Sequence, residues 1–283
     1  MSYKDEIKKH LIAYKKTAFT DFKHGFWMRS KPPKELEYAF RKKDETNNDE
    51  DENIISFYQK QFIESRFSVV KRHMCFHHMN SSQAMCFNFF YPLYKENCLE
   101  TITEYLGFKD EKVIEKTVLF EKLSTIDSKK GHRPTNFDFY FETESGKKFF
   151  FEIKYTEYEF GKAADDKGHN NKFENVYNTN NIFNPIHASY REKQLFFKNY
   201  QIIRNLIHVA SDSYVVFVYP KDNIRIKKQA VLAKSEIIKE TFQKNLFTIE
   251  WEDMFKKVND KVKVPTLKSQ MAEFGKKYFI DTK

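Results

Sequence analysis

Cysteine is scarce in this chain. Cys75, Cys86 and Cys98 are an odd number without repeat spacing, which excludes a disulfide framework and points to a reducing compartment. Glycine and proline number only seven each, so collagen-like and low-complexity readings fall away. No stretch approaches the roughly 18 apolar residues of a membrane span. The opening MSYKDEIKKHLIAYKK also lacks an unbroken apolar core of signal-peptide length. The expectation is a soluble, cytoplasmic protein without a membrane partner. What the 283 residues do hold is 30 Phe and 16 Tyr, a globular composition in spite of a mean hydropathy of −0.72. Many of those rings must be buried in one large domain or two small ones. The formal charge of +9 suits a polyanionic partner through counterion release, and equally suits a surface charged for solubility.

The segment Thr135 to Glu157 reads as two strands joined by a tight turn at Ser145-Gly146, because aromatic residues dominate both arms. Residues two apart share a face, so Asp138 and Tyr140 project together on the first arm. On the second arm Phe150, Glu152, Lys154 and Thr156 share one face. Phe149, Phe151, Ile153 and Tyr155 take the other, which is the face expected to be buried. With the polar faces aligned, the hairpin presents two carboxylates beside an ammonium group. Such oxygens are hard ligands for Mg²⁺ or Mn²⁺, and a lysine one step away can position water and offset charge on a phosphate. The same pattern fits an ordinary hairpin with a Glu/Lys pair on its solvent face. The acid-x-Lys tripeptide recurs at Glu6, Asp110, Asp127, Asp165 and Asp281, and Glu152 differs in lying within a strongly apolar strand with a second strand carrying Asp138 just upstream.

Asp138, Glu152 and Lys154, set across a hairpin between helical segments, resemble the PD-(D/E)xK nuclease superfamily. The wording SSQAMCFNFFYPL (81–93), TNFDFYF (135–141) and FEIKYTE (151–157) is similar to a bacterial group of restriction endonucleases within it. YREKQLFFKNYQIIRN and YVVFVYP extend the likeness, which runs from about residue 70 onward. Phe137 replaces the proline of the motif name. The resemblance implies an α/β fold with a restriction-endonuclease-like core, a mixed central β-sheet flanked by helices, and extra N- and C-terminal helices. It implies catalysis by Asp138, Glu152 and Lys154, with metal held by Asp138, Glu152 and the carbonyl of Ile153. Glu121, Glu157 and Gln83 are accessory candidates, and Glu100 and Glu104 compete with Glu121 as an additional upstream acid.

Elsewhere, residues 3–22 predict an amphipathic helix, and the polar run Lys43 to Asn53 predicts a mobile surface loop. Asn80-Ser81-Ser82 can cap a helix from Gln83. His73, Cys75, His77 and His78 match no familiar paired zinc knuckle. TVLFEKL (117–123) suggests a strand, and the basic turn SKKGHRP, with Arg133, is placed to meet a phosphate backbone. The polar segment from Lys162 to Ser189 predicts a loop serving as a recognition flap or a plain surface excursion. A helix over Tyr190 to Ala210 offers Arg191, Lys193, Gln194, Lys198 and Arg204 to phosphate or to solvent. The chain is read as one nuclease-like domain: a helical extension (1–66), a catalytic core (67–220) and C-terminal helices with a strand (221–283).

The functional expectation is a Mg²⁺-dependent DNA endonuclease of restriction or defence type acting on double-stranded DNA. The alternatives are a catalytically silent nucleic-acid-binding protein of the same fold and a repair or RNA nuclease. Cleavage of both strands would favour a homodimer.

Overall fold

The computed structural model describes residues 2–27, 29–44, 46–178 and 181–280. Its contacts divide the chain into two compact units, one of Met1–Tyr105 with Met254–Lys283 and one of Leu106–Asp253. The unit bearing the sheet thus starts near residue 106, where the sequence suggests a core from 67, and it takes in the strand near residue 250.

The first unit opens with α1 (Tyr3–Ala18), capped by the Ser2 side chain, and a small antiparallel pair, β1 (Gly25–Trp27) and β2 (Lys34–Leu36). α2 (Ser56–Ile63), α3 (Ser82–Lys95) and α4 (Glu100–Tyr105) follow. Ser81 caps α3 by accepting from the Ala84 N–H, as its spacing predicts. The polar run at 43–53 departs from expectation. It ends in a 3₁₀ turn, Asp49–Asn53, that buries Glu50, Asp51 and Asn53. The reason is local neutralisation of the two acids, since Arg72 meets Glu50 at 2.9 Å and Asp51 at 2.5 Å, and the buried Lys277 Nζ satisfies Asn53 by donating to it. Buried charge survives when it is paired and hydrogen-bonded. Glu45, within that run, lies outside the described residues.

The second unit is built on a mixed five-stranded sheet. β3 (Leu119–Leu123), β4 (Asn136–Glu142) and β5 (Lys148–Ile153) are antiparallel. The turn between β4 and β5 uses Gly146 at φ +86°, a left-handed position that glycine takes without strain. α5 (Lys167–Lys172), α6 (Lys193–Lys198) and α7 (Tyr200–Leu206) precede β6 (Ser213–Tyr219), which runs parallel to β5. After α8 (Ile224–Leu232), β7 (Leu246–Glu250) adds parallel to β6, for an order β3-β4-β5-β6-β7. α9 (Trp251–Asn259) leads out of this unit, and α10 (Pro265–Tyr278) belongs to the first. This is an α/β fold with a restriction-endonuclease-like core, a central sheet flanked by helices.

Parallel strands are covered on both faces, and β6 is accordingly the continuous apolar run SYVVFVY. Phe150, Val215 and Phe217 join Phe196, Ile202, Ile203 and Leu206 of α6 and α7 in one buried cluster. The segment expected as a loop after Lys162 is part of that cluster. It forms α5 and a π-helical turn, Phe173–Tyr177, burying Phe173, Val176, Tyr177, Phe183 and Ile186. Thr179 and Asn180 lie outside the described residues. The helix predicted over 190–210 is broken at Asn199, the cap between α6 and α7. Among the described residues no helix is long and apolar enough to cross a membrane.

Candidate active site

The register of the sheet lines up three acids. β3 and β4 pair Phe120 with Phe139 and Lys122 with Phe137, which sets Glu121 opposite Asp138. One step beyond the Phe139–Phe151 pair of β4 and β5, Asp138 comes opposite Glu152. Glu121 interrupts the β3 ladder with φ +55°, a left-handed conformation that is costly for a side chain with a Cβ. Asp138 ends the β4–β5 ladder differently: its carboxyl Oδ2 accepts the Ile153 N–H at 2.6 Å. Burial pushes the Asp138 carboxyl well above the usual carboxylate range, and the Glu152 and Glu121 charges push it further.

Glu152 and Lys154 share a face of β5 and its extension, and both are buried, with 3% and 6% of their surface exposed. Neither side chain lies on the solvent face that an ordinary hairpin would give it, because α6 and α7 pack on this side of the sheet, whereas Asp138 is half-buried. Lys154 keeps its charge because it is paired. The Lys154 Nζ donates to Glu152 Oε1 at 2.7 Å and to Gln201 Oε1 at 3.2 Å. Burial disfavours the ammonium, but Glu152, Glu157 and Asp138 outweigh it and hold Lys154 above its ordinary range. Trp251 Nε1 donates to the Lys154 carbonyl at 3.2 Å and fixes the backbone there.

Two residues that sequence reasoning missed complete the arrangement. Gln201 Nε2 donates to Glu152 Oε1 at 2.7 Å, and Asn205 Nδ2 donates to Glu152 Oε2 at 3.0 Å. Both stand on α7, four residues apart, so one helix face reaches both carboxylate oxygens. The signal was present as two amides at helical spacing within YQIIRNLI, among Ile202, Ile203 and Leu206. Gly161 makes room for Gln201: a Cβ there would lie 3.1 Å from Gln201 Oε1, and its φ is +127°.

Among the other candidates, Glu157 Oε2 accepts the Tyr155 N–H at 2.6 Å and lies close enough to Lys154 to raise its pKa. Arg133 is exposed, and its carbonyl receives Lys172 and Arg204. Lys162 is exposed and faces Glu159 at 3.8 Å. Arg191 turns back on the Ile186 carbonyl at 3.0 Å, and Gln194 is exposed on α6. Gln83 stands in the other unit, where its amide accepts from the His73 N–H and donates to the Lys71 carbonyl. Glu104 pairs with Lys261 in that unit.

Beside the site lies a network the sequence did not single out. Asp127 is fully buried and accepts from the Thr135 N–H and hydroxyl, from the Tyr177 hydroxyl at 2.7 Å, and from Arg204. Burial opposes its charge, yet these donors hold its carboxyl down at about 2. Arg204 is committed here and not to an outside phosphate. His208, buried with Nε2 2.6 Å from Ser124 Oγ, is pushed down to about 4 by burial.

The acidic row suits a hard divalent cation, because a positive ion would relieve the repulsion that raises Asp138. Among the described residues no three His, Cys, Asp or Glu side chains converge as a ready-made cage. No curated protein and no solved structure matches this chain. Residues 8–279 match the model of a family described as restriction endonuclease associating with ARP, and the chain belongs to that family.

Proposed function

We propose that this chain is a divalent-metal-dependent endonuclease of the PD-(D/E)xK type that hydrolyses DNA phosphodiester bonds in a restriction or defence role. The observation that carries the reading is the buried Lys154–Glu152 pair at 2.7 Å, adjoining an Asp138 carboxyl whose pKa is raised by burial and then by its acidic neighbours. Family membership supports the nuclease class. Asp138 and Glu152, with the Ile153 carbonyl, are the groups that would hold Mg²⁺ or Mn²⁺. When bound, the cation supplies Lewis-acid stabilisation of charge on the phosphate.

The protein's own residues supply positioning and electrostatics. Lys154 is held as an ammonium, so it donates a hydrogen bond: it orients the attacking water and offsets charge on the phosphate, and does not serve as the base. Gln201 and Asn205 fix the rotamer of Glu152, and the Ile153 N–H orients Asp138. Such supporting hydrogen bonds keep a site within the narrow geometry that catalysis needs.

A second reading, a nucleic-acid-binding protein without turnover, draws on one observation: both oxygens of Glu152 are already engaged by Lys154, Gln201 and Asn205. A cleavage assay on plasmid and linear duplex DNA separates the two, comparing wild type with Glu152→Gln in Mg²⁺, Mn²⁺ or EDTA. Metal-dependent cutting that the variant loses supports the endonuclease. DNA binding without cutting by the wild type supports the second reading, and cutting of RNA alone would move the substrate class.

A further inference from the structure

Tyr158 leaves 63% of its surface in solvent although it stands only four residues after Lys154. The Arg225 guanidinium lies over its ring, 3.8 Å from the centroid. Arg225 is exposed as well, and among the described residues no carboxylate lies within ion-pair distance of it. Neither side chain hangs from a free loop. Asn223, which caps α8, donates through Nδ2 to the carbonyls of Tyr155 at 3.1 Å and Glu157 at 3.0 Å. The Phe160 N–H donates to Gln229 Oε1 on the same helix at 2.9 Å, and the Phe160 ring lies 5.2 Å from Lys154 Nζ. The strand exit and α8 are thereby stitched together, and the Tyr158–Arg225 stack is carried on the backbone that carries the reactive lysine.

A guanidinium laid flat on a ring keeps its N–H donors at its edge, where they match the oxygens of a phosphate. An exposed aromatic face accepts a base or sugar whatever the sequence. Lys228, exposed one turn along α8, adds to the positive charge, whereas Lys227 is committed to Glu250 at 2.6 Å. The acids nearest in sequence are Asp222, exposed, Glu157, whose Oε2 accepts the Tyr155 N–H beside Lys154, and Glu159, which faces Lys162. We propose that the Tyr158–Arg225 pair is a substrate contact. In it the Arg225 edge grips a phosphate of the nucleic-acid backbone, and the Tyr158 ring packs on the adjoining sugar or base. This rests on the nucleic-acid-cleaving reading above and names a contact beside the same centre.

The test is fluorescence anisotropy with labelled duplex DNA, single-stranded DNA and duplex RNA, in EDTA so that cleavage does not intervene, over a range of KCl. Wild type is compared with Arg225→Ala, Arg225→Lys, Tyr158→Ala and Tyr158→Phe, with thermal melting to check folding. Arg225→Ala is expected to weaken binding about tenfold and to lower the slope of log affinity against log salt by about one. Arg225→Lys keeps the slope. Tyr158→Ala weakens binding severalfold with the slope unchanged, and Tyr158→Phe binds as wild type, since the ring and not the hydroxyl makes the contact. Wild-type affinity and slope in Arg225→Ala overturn the proposal, as does an affinity loss matched by a melting loss that Arg225→Lys does not rescue. A wild type that binds but does not cut in Mg²⁺, with the slope change intact, upholds the contact and removes the endonuclease reading. Failure to bind any of the three nucleic acids removes both.

Discussion

Gln201 Nε2 lies 2.7 Å from Glu152 Oε1, the same oxygen that receives the Lys154 ammonium. One amide therefore holds the carboxylate and, through its Oε1, the lysine. In the endonuclease proposed above, a residue so placed would act by positioning Glu152 and Lys154.

Gln201→Ala is expected to lower the cleavage rate roughly 10- to 100-fold, the usual effect of removing such a support. The metal concentration for half-maximal rate should rise with it, since Glu152 loses its fixed rotamer. Gly161→Ala should act the same way more mildly, because its Cβ crowds Gln201 Oε1 and its backbone sits at φ +127°. Unchanged rates over a Mg²⁺ titration would leave Gln201 without a positioning role.

Substitutions in the buried pair carry a stability cost that an exposed site would not. Glu152→Ala leaves the Lys154 ammonium buried without its carboxylate, which should cost about 3 kcal/mol. Glu152→Gln keeps an oxygen acceptor and should cost distinctly less while still abolishing activity. Urea denaturation of the two variants decides this, and equal stability losses would contradict it.

Acid sensitivity should have two sources. His208 stays neutral in the folded chain down to about 4, whereas the unfolded chain takes up that proton near 6.5. Each step down in pH between those values favours unfolding, by roughly 3 kcal/mol in all. Asp127 has the opposite chemistry and adds a second acid loss. Its folded pKa of about 2 lies below the ordinary 3.8, so its stabilisation is complete above about pH 4 and is lost as pH falls toward 2. It contributes roughly 2 kcal/mol. Melting temperatures from pH 7 to pH 2 should fall through both windows, and His208→Gln should flatten the first alone.

The raised pKa of Asp138 depends in part on the strained Glu121 opposite it. Glu121→Gln removes that negative charge and should move the Asp138 titration to lower pH in metal-free protein, without bringing it to the ordinary value, because burial and Glu152 remain. Carbon-13 NMR of the carboxyl group reads this directly. An unmoved titration would separate Glu121 from the acidic row.

Tyr177 ties the segment after β5 to the Asp127 network, its hydroxyl lying 2.7 Å from Asp127 Oδ2 and receiving Arg204 Nε at 2.7 Å. Tyr177→Phe should destabilise the protein by about 2 kcal/mol, the range for hydrogen bonds to charged groups. Deleting residues 170–181 should be far more damaging, since it removes Phe173, Val176 and Tyr177 from the core. A deletion variant that melts like wild type would restore the view of this segment as a surface flap.

The sequence by itself determined the hairpin, its turn at Gly146, the capped helix at Ser81, the buried run of β6 and the shared face of Glu152 and Lys154. These follow from alternation, turn chemistry and capping, all of which act over a few residues. Alternation tells which side chains share a face but not whether that face is covered. Only the packing of α6 and α7 against the sheet decided that Glu152 and Lys154 are buried. Gln201 and Asn205 lie 49 and 53 residues from Glu152 along the chain, a distance over which no local signal links an amide to its carboxylate. The same holds for Asp127, which shares the acid-x-Lys spelling with surface sites and becomes a buried hub through Tyr177 and Arg204. It holds again for the acidic run before Asn53, buried because Arg72 neutralises it. Charge and polarity are written residue by residue. Whether they meet water or a partner is settled only when distant segments come together.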